Sequence, residues 1–175
     1  MKYHDAEQLY SSHYNQRPES VVVSLLVIHN ISLPPNQYDN HHIEDFFLGC
    51  LDSTCHPYFE EIKDLRVSSH FLIKRTGKVI QFVDCDNRAW HAGESSWQGV
   101  ANCNDYSIGI ELEGTDDDPY TEQQYHSLAG LTKKLMQDYP AITRDRIVGH
   151  NQIAPGRKTD PGDSFDWQYF HSKLS

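Results

Sequence analysis

The segment His150-Asn151-Gln152-Ile153-Ala154-Pro155-Gly156-Arg157-Lys158-Thr159-Asp160-Pro161-Gly162 offers an imidazole, an ammonium and a carboxylate on a single loop. It follows a short apolar run, Ile147-Val148-Gly149, that reads as the end of a strand. A second apolar run, Val21 to Ile28, also ends at a histidine, His29. Open sheets place their ligands at the carboxyl ends of strands. His29, His150 and Asp160 could therefore share one divalent cation and leave room for water, the layout of a hydrolytic zinc centre. Taken singly, each residue has a plainer role. A strand-end histidine is often just a polar loop start, and Asp160-Pro161-Gly162 has the composition of a turn. Two histidines and a carboxylate also make the facial triad of ferrous oxygenases. A hydrolase needs, in addition, a base for water and a cation for the oxyanion. Glu111, on the polar face of an alternating strand, and Lys158, two residues before Asp160, suit those two tasks. For His41, His42, His56, His70 and His91 the expected role is structural or solvent-facing, with His70 and His91 the two that could sit behind a ligand.

The elements that must position these groups are legible in outline. Val21 to Ile28 is nearly all β-branched and aliphatic, the pattern of a central strand buried on both faces. Ile31 to Gln37 carries two prolines and reads as a loop. Ile43, Phe46, Phe47, Cys50 and Leu51 fall at helical spacing and predict about three turns; Cys55 to Asp64 is ambiguous. Val67 to Lys74 and Val79 to Val83 flank Arg75-Thr76-Gly77-Lys78, a hairpin signal. Asn87 to Asn104, rich in Gly and Trp, is too long for a simple connection, and structured loops of this kind are often functional. Ser107 to Glu113 alternates, with Ile108, Ile110 and Leu112 on one face and Glu111 and Glu113 on the other. Thr121 and Gln124 have the form of a capping box before a helix ending near Pro140. A strand at Arg146–Gly149 and a short closing helix at Phe165–Leu174 complete the set. These elements predict one α/β domain (residues 21–175) with a mixed central β-sheet flanked by helices, and an N-terminal segment (residues 1–20) packed on it or leading into it.

Bulk properties narrow the function. At 175 residues the chain suffices for one domain with a real core. Its net charge of −10 argues against nonspecific binding of nucleic acid and against a polybasic membrane patch. The polar first twenty residues lack the pattern of a secretory signal, and no apolar run is long enough to span a bilayer. The expected location is therefore the cytoplasm. The cysteines, Cys50, Cys55, Cys85 and Cys103, form no CxxC pair and read as reduced thiols.

Several motifs, in order, resemble one family: His29-Asn30-Ile31-Ser32-Leu33-Pro34-Pro35, Arg66-Val67-Ser68-Ser69-His70, Arg88-Ala89-Trp90-His91-Ala92-Gly93, Cys103-Asn104-Asp105-Tyr106 through Gly114, and Gly149-His150 through Gly162. From about residue 12 onward the chain is similar to the AmpD family of N-acetylmuramoyl-L-alanine amidases, and more distantly to peptidoglycan recognition proteins. The resemblance implies a zinc amidase fold, with Zn2+ on His29, His150 and Asp160 and with Glu111 and Lys158 catalytic. It also implies substrate contacts from Asn30, Arg66 and Trp90. The implied substrate is a small 1,6-anhydro-muropeptide from wall turnover, cut between the lactyl group and L-alanine, with no obligatory protein partner. One departure is Asn102, where that family often carries a basic residue. The alternative is a noncatalytic module that only binds peptidoglycan fragments; retention of Glu111 and Lys158 beside the ligand set favours catalysis.

Overall fold

A computed structural model describes residues 1–175. The strands are β1 (Glu7–Gln8), β2 (Tyr14–Gln16), β3 (Leu25–Ile31), β4 (Phe71–Ile73), β5 (Val79–Gln81), β6 (Asn87–Ala89), β7 (Ser96–Trp97), β8 (Val100–Ala101), β9 (Ser107–Glu113) and β10 (Ile147–Gly149). The α-helices are α1 (His42–Leu48), α2 (Pro57–Ile62), α3 (Glu122–Asp138), α4 (His150–Ile153) and α5 (Trp167–Ser172). Six strands form one mixed sheet in the order β1-β5-β4-β9-β3-β10. Only the β4–β5 hairpin is antiparallel within it; the other pairs run parallel. The fold is the expected single α/β domain with a mixed sheet and helices on both faces.

The two central strands, β3 and β9, explain the apolar sequence around them. One sheet face, with Leu26, Ile28, Ile108, Ile110 and Leu112, packs against Leu128, Leu131 and Leu135 of α3 and Phe170 of α5. Towards β5, Leu72 and Ile80 meet Phe46 and Phe47 of α1 and Phe59 and Ile62 of α2. Towards β10, Leu25, Val27 and Val148 lie under Ala92 and Cys103 of the long loop. With both faces covered, every residue of β9 is buried, including Glu111 and Glu113. The capping box at the start of α3 forms as expected: Thr121 Oγ1 accepts from Gln124 N–H at 3.1 Å and Gln124 Oε1 from Thr121 N–H at 3.1 Å.

Several boundaries differ from expectation for tertiary reasons. The central strand begins at Leu25 rather than Val21 and runs on through His29 to Ile31. His29 is thus inside the strand, held in register opposite Glu111. Helix α1 has seven residues instead of about three turns, because Gly49 takes a left-handed conformation (φ 74°) and ends it before Cys50 and Leu51. The ambiguous Cys55–Asp64 stretch contains α2, started by Pro57 and by His56 Nδ1 accepting from Tyr58 N–H. His70 precedes β4 rather than lying within it. The N-terminal segment is packed on the domain through β1, which extends the sheet beside β5, and β2, which pairs with β6. All four cysteines are free; Cys50 and Cys55 are exposed, Cys85 and Cys103 buried.

Candidate metal centre and cleft

The sheet register builds the site. His29 on β3 lies directly beside Glu111 on β9. Gly149, the last residue of β10, pairs with Ile28, which puts His150 level with His29 one strand away. The loop after α4 then turns back so that Asp160 C=O accepts from Asn151 N–H at 3.0 Å. Three atoms converge as a result. His29 Nδ1 and His150 Nδ1 are 2.9 Å apart, and Asp160 Oδ2 lies 3.1 and 3.0 Å from them. These residues are 1%, 3% and 8% exposed, so the cluster is reached only through the cleft above it.

The donor set fits a divalent cation. His150 Nε2 faces the carbonyl oxygen of Ala92 at 3.0 Å, so Nε2 carries the proton and Nδ1 presents a lone pair. His29 Nε2 has a partner of its own, His91 Nδ1 at 2.9 Å, which leaves His29 Nδ1 for the centre. Three electron-pair donors packed about 3 Å apart repel one another unless a positive charge sits among them. Two imidazoles and a carboxylate are ligands that suit zinc, and three protein ligands are the catalytic pattern. A second group, His41, His42 and Asp45, also has close donor atoms, but it lies on the surface at the start of α1.

Beside this cluster, Glu111 Oε1 stands 4.0 Å from His29 Nδ1, and Glu111 Oε2 is buried with no hydrogen-bond partner. Burial raises the Glu111 carboxyl well above the usual carboxylate range; the charge of Asp160 pushes the same way, while Lys158 pulls it back. An unsatisfied carboxylate next to a cation site is poised to take a proton from water. Glu113, the other acid on this strand face, does something different: Lys74 Nζ meets Glu113 Oε1 at 3.0 Å and Glu44 Oε1 at 3.2 Å, a buried ion pair that ties α1 to the sheet.

These groups lie at the floor of a cleft of about 380 Å³. Leu33, Phe46, Phe47 and Leu65 form an apolar wall, and Lys158 and Asn30 border the polar end. Asn30 Nδ2 donates to Asp116 Oδ1 at 2.8 Å. Trp90 is at the cleft as well. Its indole stacks on His13 (6.1 Å, 8° between planes) and its N–H donates to Asn15 at 2.7 Å, so the ring is held flat. Arg66 is apart from the others: it is exposed in an adjacent groove with His13, Gly49 and Lys63. A larger hollow of about 560 Å³ between the N-terminal segment, the β4–β5 hairpin and α3 contains none of the cluster residues. The structure adds His91 to the centre, where sequence favoured a packing role. The advance signals were its place in the Gly/Trp-rich loop and in the Arg88–Gly93 motif.

A mixed sheet with a His/His/Asp cluster that could hold a metal ion, and a free carboxylate in the same cleft, is an arrangement suited to hydrolysis. The family model described as N-acetylmuramoyl-L-alanine amidase matches residues 16–163, and the chain belongs to that family. It is an amidase of the AmpD type in sequence. It is 52% identical over 170 residues to the 1,6-anhydro-N-acetylmuramyl-L-alanine amidase AmpD of Haemophilus influenzae, an alignment covering 97% of this chain and 92% of that protein. A crystal structure of a selenomethionine derivative of AmpD superposes with a TM-score of 0.97 at 51% identity, covering 99% of this chain and 97% of that one. The Escherichia coli amidase AmiD, solved in complex with anhydro-N-acetylmuramic acid-L-Ala-D-gamma-Glu-L-Lys, superposes at 0.65 with 30% identity, over 90% of this chain and 60% of that one.

Proposed function

We propose that this amidase is zinc-dependent and hydrolyses the amide between the lactyl group of N-acetyl-1,6-anhydromuramic acid and L-alanine in small muropeptides of cell-wall recycling, in the cytoplasm. The observation that carries the reading is the convergence of His29, His150 and Asp160 with the unpartnered oxygen of Glu111 beside them. His29 Nδ1, His150 Nδ1 and Asp160 Oδ2 would hold the zinc. When bound there, zinc supplies Lewis acidity, lowering the pKa of water towards about 7 and polarising a carbonyl. Glu111 takes the proton of the attacking water and returns it to the departing alanine amine. Lys158 lies at the cleft mouth, within electrostatic reach of Glu111, and offsets the negative charge that develops on the carbonyl oxygen. Asn30 and the fixed Trp90 bind the sugar-lactyl part; Arg66, one groove away, reaches a more distal part of the substrate. The substrate class is supported by the name of the Haemophilus relative and by the ligand in the AmiD complex.

The test is to incubate the purified protein with an anhydro-muropeptide and to identify products by mass spectrometry, with and without chelation. Release of the intact peptide and free anhydromuramic acid, abolished by chelator and restored by zinc, is expected. Slow cleavage of intact sacculi is expected alongside. Full activity after complete metal removal would defeat the zinc reading, and equal rates on sacculi would defeat the substrate reading.

A further inference from the structure

The face of β9 that points at the cluster reads Ser107, Gly109, Glu111, Glu113. Glu111 reaches the donor atoms and Glu113 pairs with Lys74. Ser107 and Gly109 together hold His91. A Cβ on Gly109 would come within 2.5 Å of the His91 ring, so this strand position must be bare for the imidazole to lie there. Ser107 Oγ is 3.1 Å from His91 Nε2, and His91 Nδ1 is 2.9 Å from His29 Nε2. The three groups form one hydrogen-bonded chain, Ser107–His91–His29, that ends at the donor cluster.

That chain decides which nitrogen of His29 is available. The proton of His150 is settled by a carbonyl, which can only accept. His29 has no such fixed partner. Its Nε2 faces an imidazole nitrogen that can accept or donate, and His91 in turn faces a hydroxyl that can do either. If His91 accepts at Nδ1 and donates from Nε2 to Ser107 Oγ, His29 is the Nε2–H tautomer and Nδ1 presents its lone pair to the centre. In the opposite polarity His29 Nδ1 carries a hydrogen and cannot ligate.

We propose that His91, oriented by Ser107 and admitted by Gly109, is a positioning residue that locks His29 in its metal-binding tautomer. The proposal rests on the metal centre put forward above. Because the relay ends on a hydroxyl rather than a carboxylate, it brings no negative charge to the centre. This leaves Asp160 as the one anionic ligand.

The test uses the full chain and zinc alone. His91→Phe fills the space but offers no acceptor; His91→Gln restores a carbonyl that can accept. Zinc affinity is measured by chelator competition, and the His29 tautomer by nitrogen-15 shifts of the loaded protein. His91→Phe is expected to weaken zinc binding about 10- to 100-fold, with partial recovery in His91→Gln and a mixed His29 tautomer in the Phe variant. Ser107→Ala, which leaves the ring in place, should weaken binding about tenfold; it serves also if the Phe variant does not fold. Wild-type affinity in a folded His91→Phe or Ser107→Ala protein, with His29 still protonated at Nε2, would overturn the role. Absence of stoichiometric zinc in the wild type would instead overturn the metal centre itself, and Asp160→Asn supplies the zinc-free reference for both.

Discussion

At the scale of single residues, the chemistry depends on what each acid is denied. Glu113 and Glu111 share a strand face and are both buried, yet Glu113 has Lys74 and Glu111 has an oxygen with no partner. The lysine makes one a structural ion pair; its absence leaves the other reactive. Glu111→Gln conserves shape and removes the proposed base, so on that proposal kcat should fall at least about a hundredfold while zinc stays bound. Lys158→Ala should lower kcat by about 10²- to 10³-fold, again with zinc retained. Steady-state kinetics beside metal analysis checks both, and unchanged turnover in either variant would remove that residue from the mechanism.

At the scale of elements, the segment from α4 to Gly162 carries one proposed ligand near each end, His150 and Asp160, and must hold its shape for both to meet His29. Gly162 N–H donates to Thr159 C=O at 3.0 Å, closing a turn around Asp160. Gly162 has φ 81°, and a Cβ there would overlap the backbone of Asp116. Backbone cannot move aside as a flexible side chain can. Gly162→Ala should therefore cost about 1–3 kcal/mol, a fall of several degrees in Tm, and should loosen zinc as Asp160 shifts. Calorimetry and zinc titration measure the two effects; a variant with wild-type Tm and affinity would show that this turn does not position the ligand.

At the scale of the molecule, burial sets the pH response. His70 lies under the sheet, accepting from Gly109 N–H at 3.0 Å and donating to Asn87 C=O at 3.1 Å. Burial, with the nearby Arg17 charge, lowers its pKa from 6.5 to about 3. Below pH 6.5 the unfolded chain takes up a proton at His70 that the folded chain refuses, so stability is lost as pH falls. The slope is about 1.4 kcal/mol per pH unit from roughly pH 6.5 down towards 3. Urea unfolding at pH 7.5 and 5.5 should show the loss, and His70→Gln should lessen it by about that slope; equal pH dependence in the two proteins would contradict the assignment. Charge acts at the same scale. With a net charge of −10 the protein has no global attraction for an anionic muropeptide. Capture falls to local cations at the cleft, Lys158 foremost.

Local signals in the chain were enough to read the hairpin, the capping box of α3 and the buried strand that follows Val21. Each depends on neighbours within a few positions: a turn glycine, a hydroxyl three residues before its N–H, a run of β-branched side chains. The end of the central strand was not readable, because β9 keeps β3 extended through His29 to Ile31 by pairing. Nor could sequence pair Glu113 with Lys74, place Arg66 outside the cleft floor, or bring His91 against His29. Those outcomes turn on contacts between segments tens of residues apart: Lys74 against Glu113, His91 against His29, a bare Gly109 beneath the ring. Composition and spacing by themselves determined which side chains could hold a cation. Only the packing of distant strands and loops decided which nitrogen, which carboxylate oxygen and which cleft they share, because burial and partnership are properties of the assembled sheet.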